Sequence, residues 1–249
     1  MINFSNNKPV VCVQGLGFVG SAMSTAVAMA NNSEGEPIFN VIGIDLNNIT
    51  GIKRVKNINS GCFPFETTDN VLVDSLKRCV LNGNLKATHD EDCYTVADVI
   101  VVDVHLDIPF KDDEPDLNFS GLINAITSIT TRAKAGALII VETTVPPGTC
   151  EKIVIPTVNQ ILKDRGMPED SIYIAHSYER VMPGKDYLSS IVNFWRVFAG
   201  KNKESGDKCE EFLGKVINID EYPLTRLTST TASETAKVLE NTYRAVNIA

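Results

Sequence analysis

The sequence predicts an α/β chain with a doubly wound parallel sheet, and three observations carry that reading. Short apolar runs at residues 10–13, 41–44, 99–102 and 137–141 have the composition of strands buried on both faces. Amphipathic stretches with apolar residues at helical spacing separate them, which is the alternation of strand and crossover helix. The first run also leads into Gly15-Leu16-Gly17-Phe18-Val19-Gly20, a glycine turn between a strand and a helix.

Each part of that first unit has a physical role if a dinucleotide binds there. Gly15 permits a tight turn, Gly17 lets the backbone approach a pyrophosphate, and Gly20 lets the helix pack on the sheet. A helix over residues 18–30 then aims its free N–H groups and positive dipole end at phosphates. Asp45 closes the second strand, where a carboxylate accepts hydrogen bonds from an adenosine ribose and repels a 2'-phosphate. The unit is Rossmann-like, and its acid argues for NAD over NADP.

The remaining elements follow in order. Residues 47–57 have helical character and 59–66 form a loop. A helix over about 68–82 has Val71, Leu72, Leu76 and Val80 at helical spacing and ends at Asn82-Gly83. A short strand at 85–88, a short helix at 91–97 and a core strand at 98–104 come next. Pro109 and Pro115 among five carboxylates make 105–118 a solvated loop belonging to neither element. A helix over about 119–134 presents Leu122, Ile123, Ile126 and Ile129 on one face, followed by a strand at 137–142. After residues 143–149 a helix runs to about Asp164, its prolines confined to its start. A strand at 170–175, an irregular loop at 176–191, a strand at 196–200, a helix at 204–215 and a strand at 216–219 complete a parallel sheet of about seven or eight strands. Residues 230–249 read as one helix, opened by Ser233 or Thr231, with Ala236, Leu239, Tyr243, Val246 and Asn247 near one face. The chain stops inside this helix without a glycine, proline or cap, as a truncated chain would.

Composition excludes several function classes. With 249 residues, 43% hydrophobic, 22% charged and a net charge of −8, the chain is an ordinary globular sequence that disfavours nucleic acid and anionic membranes as partners. No run approaches a membrane span, and residues 1–8 are too polar for a signal peptide. Cys12, Cys62, Cys79, Cys93, Cys150 and Cys209 are scattered and read as free thiols of a reducing cytoplasm, with no metal site. His89, His105 and His176 are isolated and read as loop or strand-end histidines without catalytic duty.

Five blocks together resemble the UDP-glucose/GDP-mannose dehydrogenase family, the nucleotide-sugar 6-dehydrogenases. They are the glycine turn at 15–20; Asn59-Ser60-Gly61 with Pro64 and Glu66; Glu142-Thr143-Thr144-Val145-Pro146-Pro147-Gly148-Thr149; Glu179-Arg180-Val181-Met182-Pro183-Gly184; and residues 240–249. The fourth block resembles the branch acting on UDP-N-acetylhexosamines, where glucose-type enzymes have a PEFLRE-like segment. The helix block agrees: the lysine of the glucose type aligns with Asn247, and Arg244 is present as in the N-acetyl branch.

The resemblance implies oxidation of a sugar C6 alcohol to the carboxylate by two hydride transfers to NAD, through a cysteine-bound intermediate. By it, Thr144 and Glu179 orient the reacting hydroxyl or water, with Glu179 the candidate general base, and Arg244 and Asn247 face the sugar or the developing oxyanion. Gly15, Gly17, Phe18, Val19, Gly20, Asp45, Val104 and Thr144 are the implied cofactor contacts. Plainer roles stay open: Thr143 and Thr144 as helix caps, Glu179 as a solvated acid, Arg244 as a surface arginine, Asn247 as a seam residue. The implied division is an NAD-binding Rossmann domain at 1–220 and the start of a central dimerisation helix at 229–249, giving a homodimer. The UDP-binding domain and nucleophilic cysteine are expected beyond this chain. Cys62, in Ser60-Gly61-Cys62-Phe63-Pro64, imitates the nucleophile loop at the wrong place, and Val104-His105-Leu106-Asp107 departs from the family's V-P-T-P segment. Two alternatives remain at this point: a dehydrogenase of β-hydroxyacid or 6-phosphogluconate type with Lys237 as its helix lysine, and a non-catalytic binding or dimerising module.

Overall fold

The structure, a computed structural model, describes residues 2, 4, 6–106, 110–111, 114–115, 117–182 and 184–248. Its centre is a sheet in which β1 (Val10–Gln14) lies between β2 (Asn40–Ile44) and β4 (Val99–Val102), with β3 (Leu85–Thr88) outside β2. On the other side β7 (Leu138–Val141), β8 (Tyr173–Ser177), β9 (Val197–Gly200) and β10 (Thr225–Arg226) continue it, giving the order 10-9-8-7-4-1-2-3. The chain moves outward through β2 and β3, then returns to the far side of β1. The resulting switch point between β1 and β4 opens a crevice at the carboxyl ends of the strands.

Alternate residues of the central strands enter two cores, one on each face. Val11, Val13, Val41, Val101 and Ile140 join α1 (Phe18–Met29), α3 (Asn70–Leu81), α6 (Tyr187–Val192) and α7 (Lys203–Val216). Cys12, Ile42, Ile100, Val102 and Ile139 join α4 (Ser120–Arg132) and α5 (Ile155–Asp164). Both faces are covered, so the strands need no polar alternation. Side-chain caps start α2 (Ile49–Asn59) at Asn48 and α7 at Asn202. Asp69 caps α3 through Leu72 N and also accepts from Leu188 N at 2.8 Å, tying α3 to α6.

Several expectations need correction. The sheet is mixed, since β9 runs antiparallel to β8. Residues 216–219 add no strand: Ile217 caps α7 and is buried, and Asn218 N donates to Val192 O of α6. The eighth strand is the exposed two-residue β10, which pairs with β9. The irregular loop at 176–191 contains the end of β8 and all but the last residue of α6. Within 105–118, β5 (Phe110–Lys111) and β6 (Glu114–Pro115) form an antiparallel hairpin, a ladder short enough to spare proline's missing N–H; 107–109, 112–113 and 116 lie outside the described residues. The helix after residue 149 is not regular. A π-helical turn, Cys150–Val154, leads directly into α5, and Pro156 is the second residue of α5. Ile123 on α4 is exposed, whereas Leu122, Ile126 and Ile129 are buried. The last helix, α8 (Thr230–Ile248), is capped by Ser229, whose Oγ accepts from Ala232 N, in place of Thr231 or Ser233. No helix among the described residues is long and apolar enough to cross a membrane.

Candidate functional site

The glycine turn sits at the switch point. Gly15 has φ +93° and donates to Ile44 O at 2.8 Å, and a side chain on it would meet Asp103 O at 2.5 Å. A side chain on Gly20 would run into Gly15 O at 1.8 Å. Gly17 differs: a Cβ there meets nothing within 4 Å, and Gly17 begins α1 without any side-chain cap. Gly15 and Gly20 therefore build the turn, while Gly17 keeps open the space before a helix N-terminus whose first N–H groups have no side-chain acceptor.

Clefts flank the turn on both sides. One, of about 360 Å³, is lined by Gln14, Asp45, His89, Asp90, Asp92 and Arg132 at the β2 side. Asp45 there is almost buried; its Oδ1 accepts from Leu46 N at 2.8 Å and its Oδ2 pairs with Arg54 at 3.2 Å. The other, of about 340 Å³, is lined by residues from the turn (Gly17, Phe18, Val19), from the end of β4 (Asp103, Val104, His105, Leu106), from the end of β7 (Glu142, Thr143, Thr144) and by Glu179. Asp107, in the segment expected to have an altered loop shape, lies outside the described residues. An extended two-nucleotide ligand fits this arrangement: one anion-binding helix terminus in the middle, a carboxylate at one end and a cleft with titratable groups at the other.

The second cleft brings together Thr144 and Glu179 as the sequence suggested. Thr143 is no helix cap; its hydroxyl donates to Val104 O at 2.8 Å and pins the β4 loop, leaving Thr144 exposed in the cleft. Glu179 is not a solvated acid either. Its Oε2 accepts from Val181 N at 2.7 Å, and Lys237 Nζ donates to its carbonyl at 2.6 Å and lies 3.4 Å from both carboxylate oxygens. Burial raises the pKa of Glu179, and Lys237 opposes that rise.

Arg244 and Asn247 do not line the cleft. Asn247 is exposed and its amide donates to Tyr243 O of its own helix. The helix lysine that reaches the site is Lys237, ten residues earlier, or about 15 Å along the helix. Phe18 is 43% exposed and stacks on Phe65 at 4.3 Å, while Tyr187 Oη donates to its carbonyl. Cys62 is exposed in the loop after α2 and does not line this cleft.

Beneath these groups lie residues that sequence reasoning missed. Arg196 donates to Glu142, which is 1% exposed, and to Tyr178 O at 2.9 Å. His176, read as a bystander, is fully buried with Nδ1 2.8 Å from Ser233 Oγ; burial and Lys237 lower its pKa to about 4. Glu234 of α8 accepts from Gly148 N and, at 2.7 Å, from Cys150 N, so a buried carboxylate caps the helical turn after the Thr144 loop. For Ser233, Glu234 and Lys237 the local sign is that polar residues fill the α8 face opposite the apolar stripe.

Comparison with known proteins agrees with the geometry. Residues 9–217 match the UDP-glucose/GDP-mannose dehydrogenase family, NAD binding domain. The UDP-N-acetyl-D-mannosamine dehydrogenase of Methanocaldococcus jannaschii is 34% identical over 239 residues, covering 96% of this chain and 49% of that protein. Among solved structures, the NDP-N-acetyl-D-galactosaminuronic acid dehydrogenase of Methanosarcina mazei superposes with a TM-score of 0.81 at 27% identity, covering 95% of this chain and 47% of that one. The UDP-D-ManNAc dehydrogenase of Pyrococcus horikoshii gives 0.78 at 27% identity, covering 96% and 51%. The chain spans about half the length of the curated relatives it matches.

Proposed function

Because the chain belongs to the UDP-glucose/GDP-mannose dehydrogenase family, whose NAD binding domain it matches, we propose that it is the NAD-binding part of a cytoplasmic UDP-sugar 6-dehydrogenase acting on a UDP-N-acetylhexosamine. The observation that carries the reading is the shared cleft, in which the uncapped α1 terminus and Gly17 meet Thr144 and the Glu179–Lys237 pair.

NAD, when bound, supplies the hydride acceptor. The chain's own residues bind and orient. Gly17 and the first N–H groups of α1 take the diphosphate, and Asp45 takes the adenosine ribose. Phe18, Val19 and Val104 bound the other end of the crevice. Thr144 offers a hydroxyl to the sugar's C6 oxygen. Glu179 accepts its proton, with an affinity raised by burial and held in check by Lys237. Arg244 and Asn247, on the outer part of α8, act on the sugar only from an assembly in which that part of the helix is covered. The exposed Leu239, Tyr243 and Val246 suit a homodimer seam there, and residues 1–220 and 229–249 are the corresponding domain and seam.

Calorimetric titration tests the proposal. NAD is expected to bind at least about tenfold tighter than NADP because of Asp45. In a protein of its relatives' full length, of which this chain spans about half, UDP-N-acetylmannosamine or its gluco epimer is expected to bind the NAD complex more tightly than UDP-glucose. Equal affinity for the two dinucleotides would overturn the cofactor site, and a preference for UDP-glucose would overturn the substrate class.

A further inference from the structure

Three carboxyl groups and two cations meet at the floor of the Thr144 cleft. Asp103 follows β4, Glu142 follows β7 and Glu179 follows β8; Arg196 precedes β9 and donates to Glu142, and Lys237 of α8 holds Glu179. All three acids line the cleft. Two of their oxygens, Asp103 Oδ2 and Glu142 Oε2, are buried without a donor among the described residues. Neighbouring carboxylates have only lone pairs to offer each other, so a single proton between them satisfies both. Charge counting agrees: three acids against two cations leave one negative charge in excess, and one proton removes it.

We propose that Asp103 keeps its proton, directed at Glu142, under the nicotinamide end of the bound dinucleotide and gives it up when the incoming ring is cationic. The inference rests on the NAD reading above. Asp45, just after β2, marks the adenosine side, which leaves the nicotinamide to the side of β4, β7 and β8, where the acids are. Burial pushes the Asp103 carboxyl well above its ordinary range, Glu142 and Glu179 push it further, and Arg196 opposes them. The other titratable groups near the cluster are His105 in the cleft wall, Tyr187 from α6, Cys209 from α7 and Tyr178 just after β8. Tyr187 donates to Phe18 O, and burial with Glu179 and Asp103 raises its pKa, so it stays neutral.

The ring of NAD+ carries a positive charge and that of NADH does not, while their diphosphates are the same. On NAD+ binding the O–H bond of Asp103 breaks, its electron pair stays on the carboxylate, and the proton passes to the buffer. Two carboxylates then face the cationic ring. With NADH the proton stays. Asp103 is thus a positioning residue for charge, favouring the oxidised cofactor increasingly as pH rises.

The test is calorimetry of the whole chain with NAD+ and with NADH, each in two buffers of different ionisation enthalpy at one pH. Release approaching one proton is expected for NAD+ and close to none for NADH. Asp103→Asn, which keeps a donor for Glu142 but cannot ionise, is expected to bind both nucleotides and abolish the difference. Equal proton release for the two nucleotides, or undiminished release in Asp103→Asn, overturns the inference. The wild-type comparison decides alone if the variant does not fold. Failure of either nucleotide to bind would instead overturn the NAD reading, a separate outcome.

Discussion

At the scale of single residues, the three glycines of the turn separate into two kinds. Gly15 and Gly20 have backbone atoms 2.5 Å and 1.8 Å from where a Cβ would stand, whereas Gly17 faces open space. Gly15→Ala and Gly20→Ala are therefore expected to lower stability by several kcal/mol, since backbone cannot yield as a flexible side chain can. Gly17→Ala is expected to leave the thermal midpoint almost unchanged while weakening NAD at least about tenfold, because its methyl enters the diphosphate's space. Thermal unfolding with and without NAD reads both; a destabilised Gly17→Ala would show that this glycine serves the fold as well. The motif is the same at all three positions, and only the surroundings tell them apart.

At the scale of elements, α8 reverses the usual amphipathic expectation. Its buried residues are Thr230, Ser233, Glu234 and Lys237, while Leu239, Tyr243 and Val246 are exposed. The helix is held by polar contacts: Ser233 to His176, Glu234 to two backbone N–H groups, and Lys237 to Glu179. Glu234→Ala leaves the Gly148 and Cys150 N–H groups buried and unpaired, and is expected to cost about 2–3 kcal/mol in denaturant unfolding. Glu234→Gln, which retains an acceptor, is expected to cost less. Leu239→Ser, on the exposed face, is expected to change the monomer's stability by no more than about 0.5 kcal/mol.

At the scale of the whole molecule, two buried groups pull the pH dependence of stability in opposite directions. His176 titrates near 6.5 when unfolded and at about 4 in the fold, so the folded chain binds fewer protons between those values. Its contribution is complete above pH 6.5 and is lost as pH falls toward 4, about 3 kcal/mol in all. Asp103 has the contrary sign: its raised folded pKa stabilises below its ordinary value of 3.8, and that stability is lost as pH rises through the raised value. His176→Gln is expected to flatten the loss between pH 6.5 and 4 relative to wild type, read as urea midpoints across pH. An unchanged slope would mean that His176 is already charged in the fold.

The first strand, glycine turn, helix and Asp45 were legible from sequence because each depends on neighbours along the chain: apolar period, a tight turn, an N-terminus and a fixed spacing. The family blocks carried Thr144 and Glu179 for the same reason, as contiguous segments. The antiparallel β9 and the edge strand β10 were not legible, since a short apolar run states neither its direction nor its partner. Nor was the polar floor of the cleft. Asp103, Glu142, Glu179 and Arg196 stand beyond the ends of different strands, Lys237 lies within α8, and they meet because the strand order sets those ends side by side and α8 packs against them. Sequence by itself determined the cofactor-binding unit and the kin of the chain; tertiary structure decided which charges share that site, because desolvation and pairing depend on distances that sequence separation does not contain.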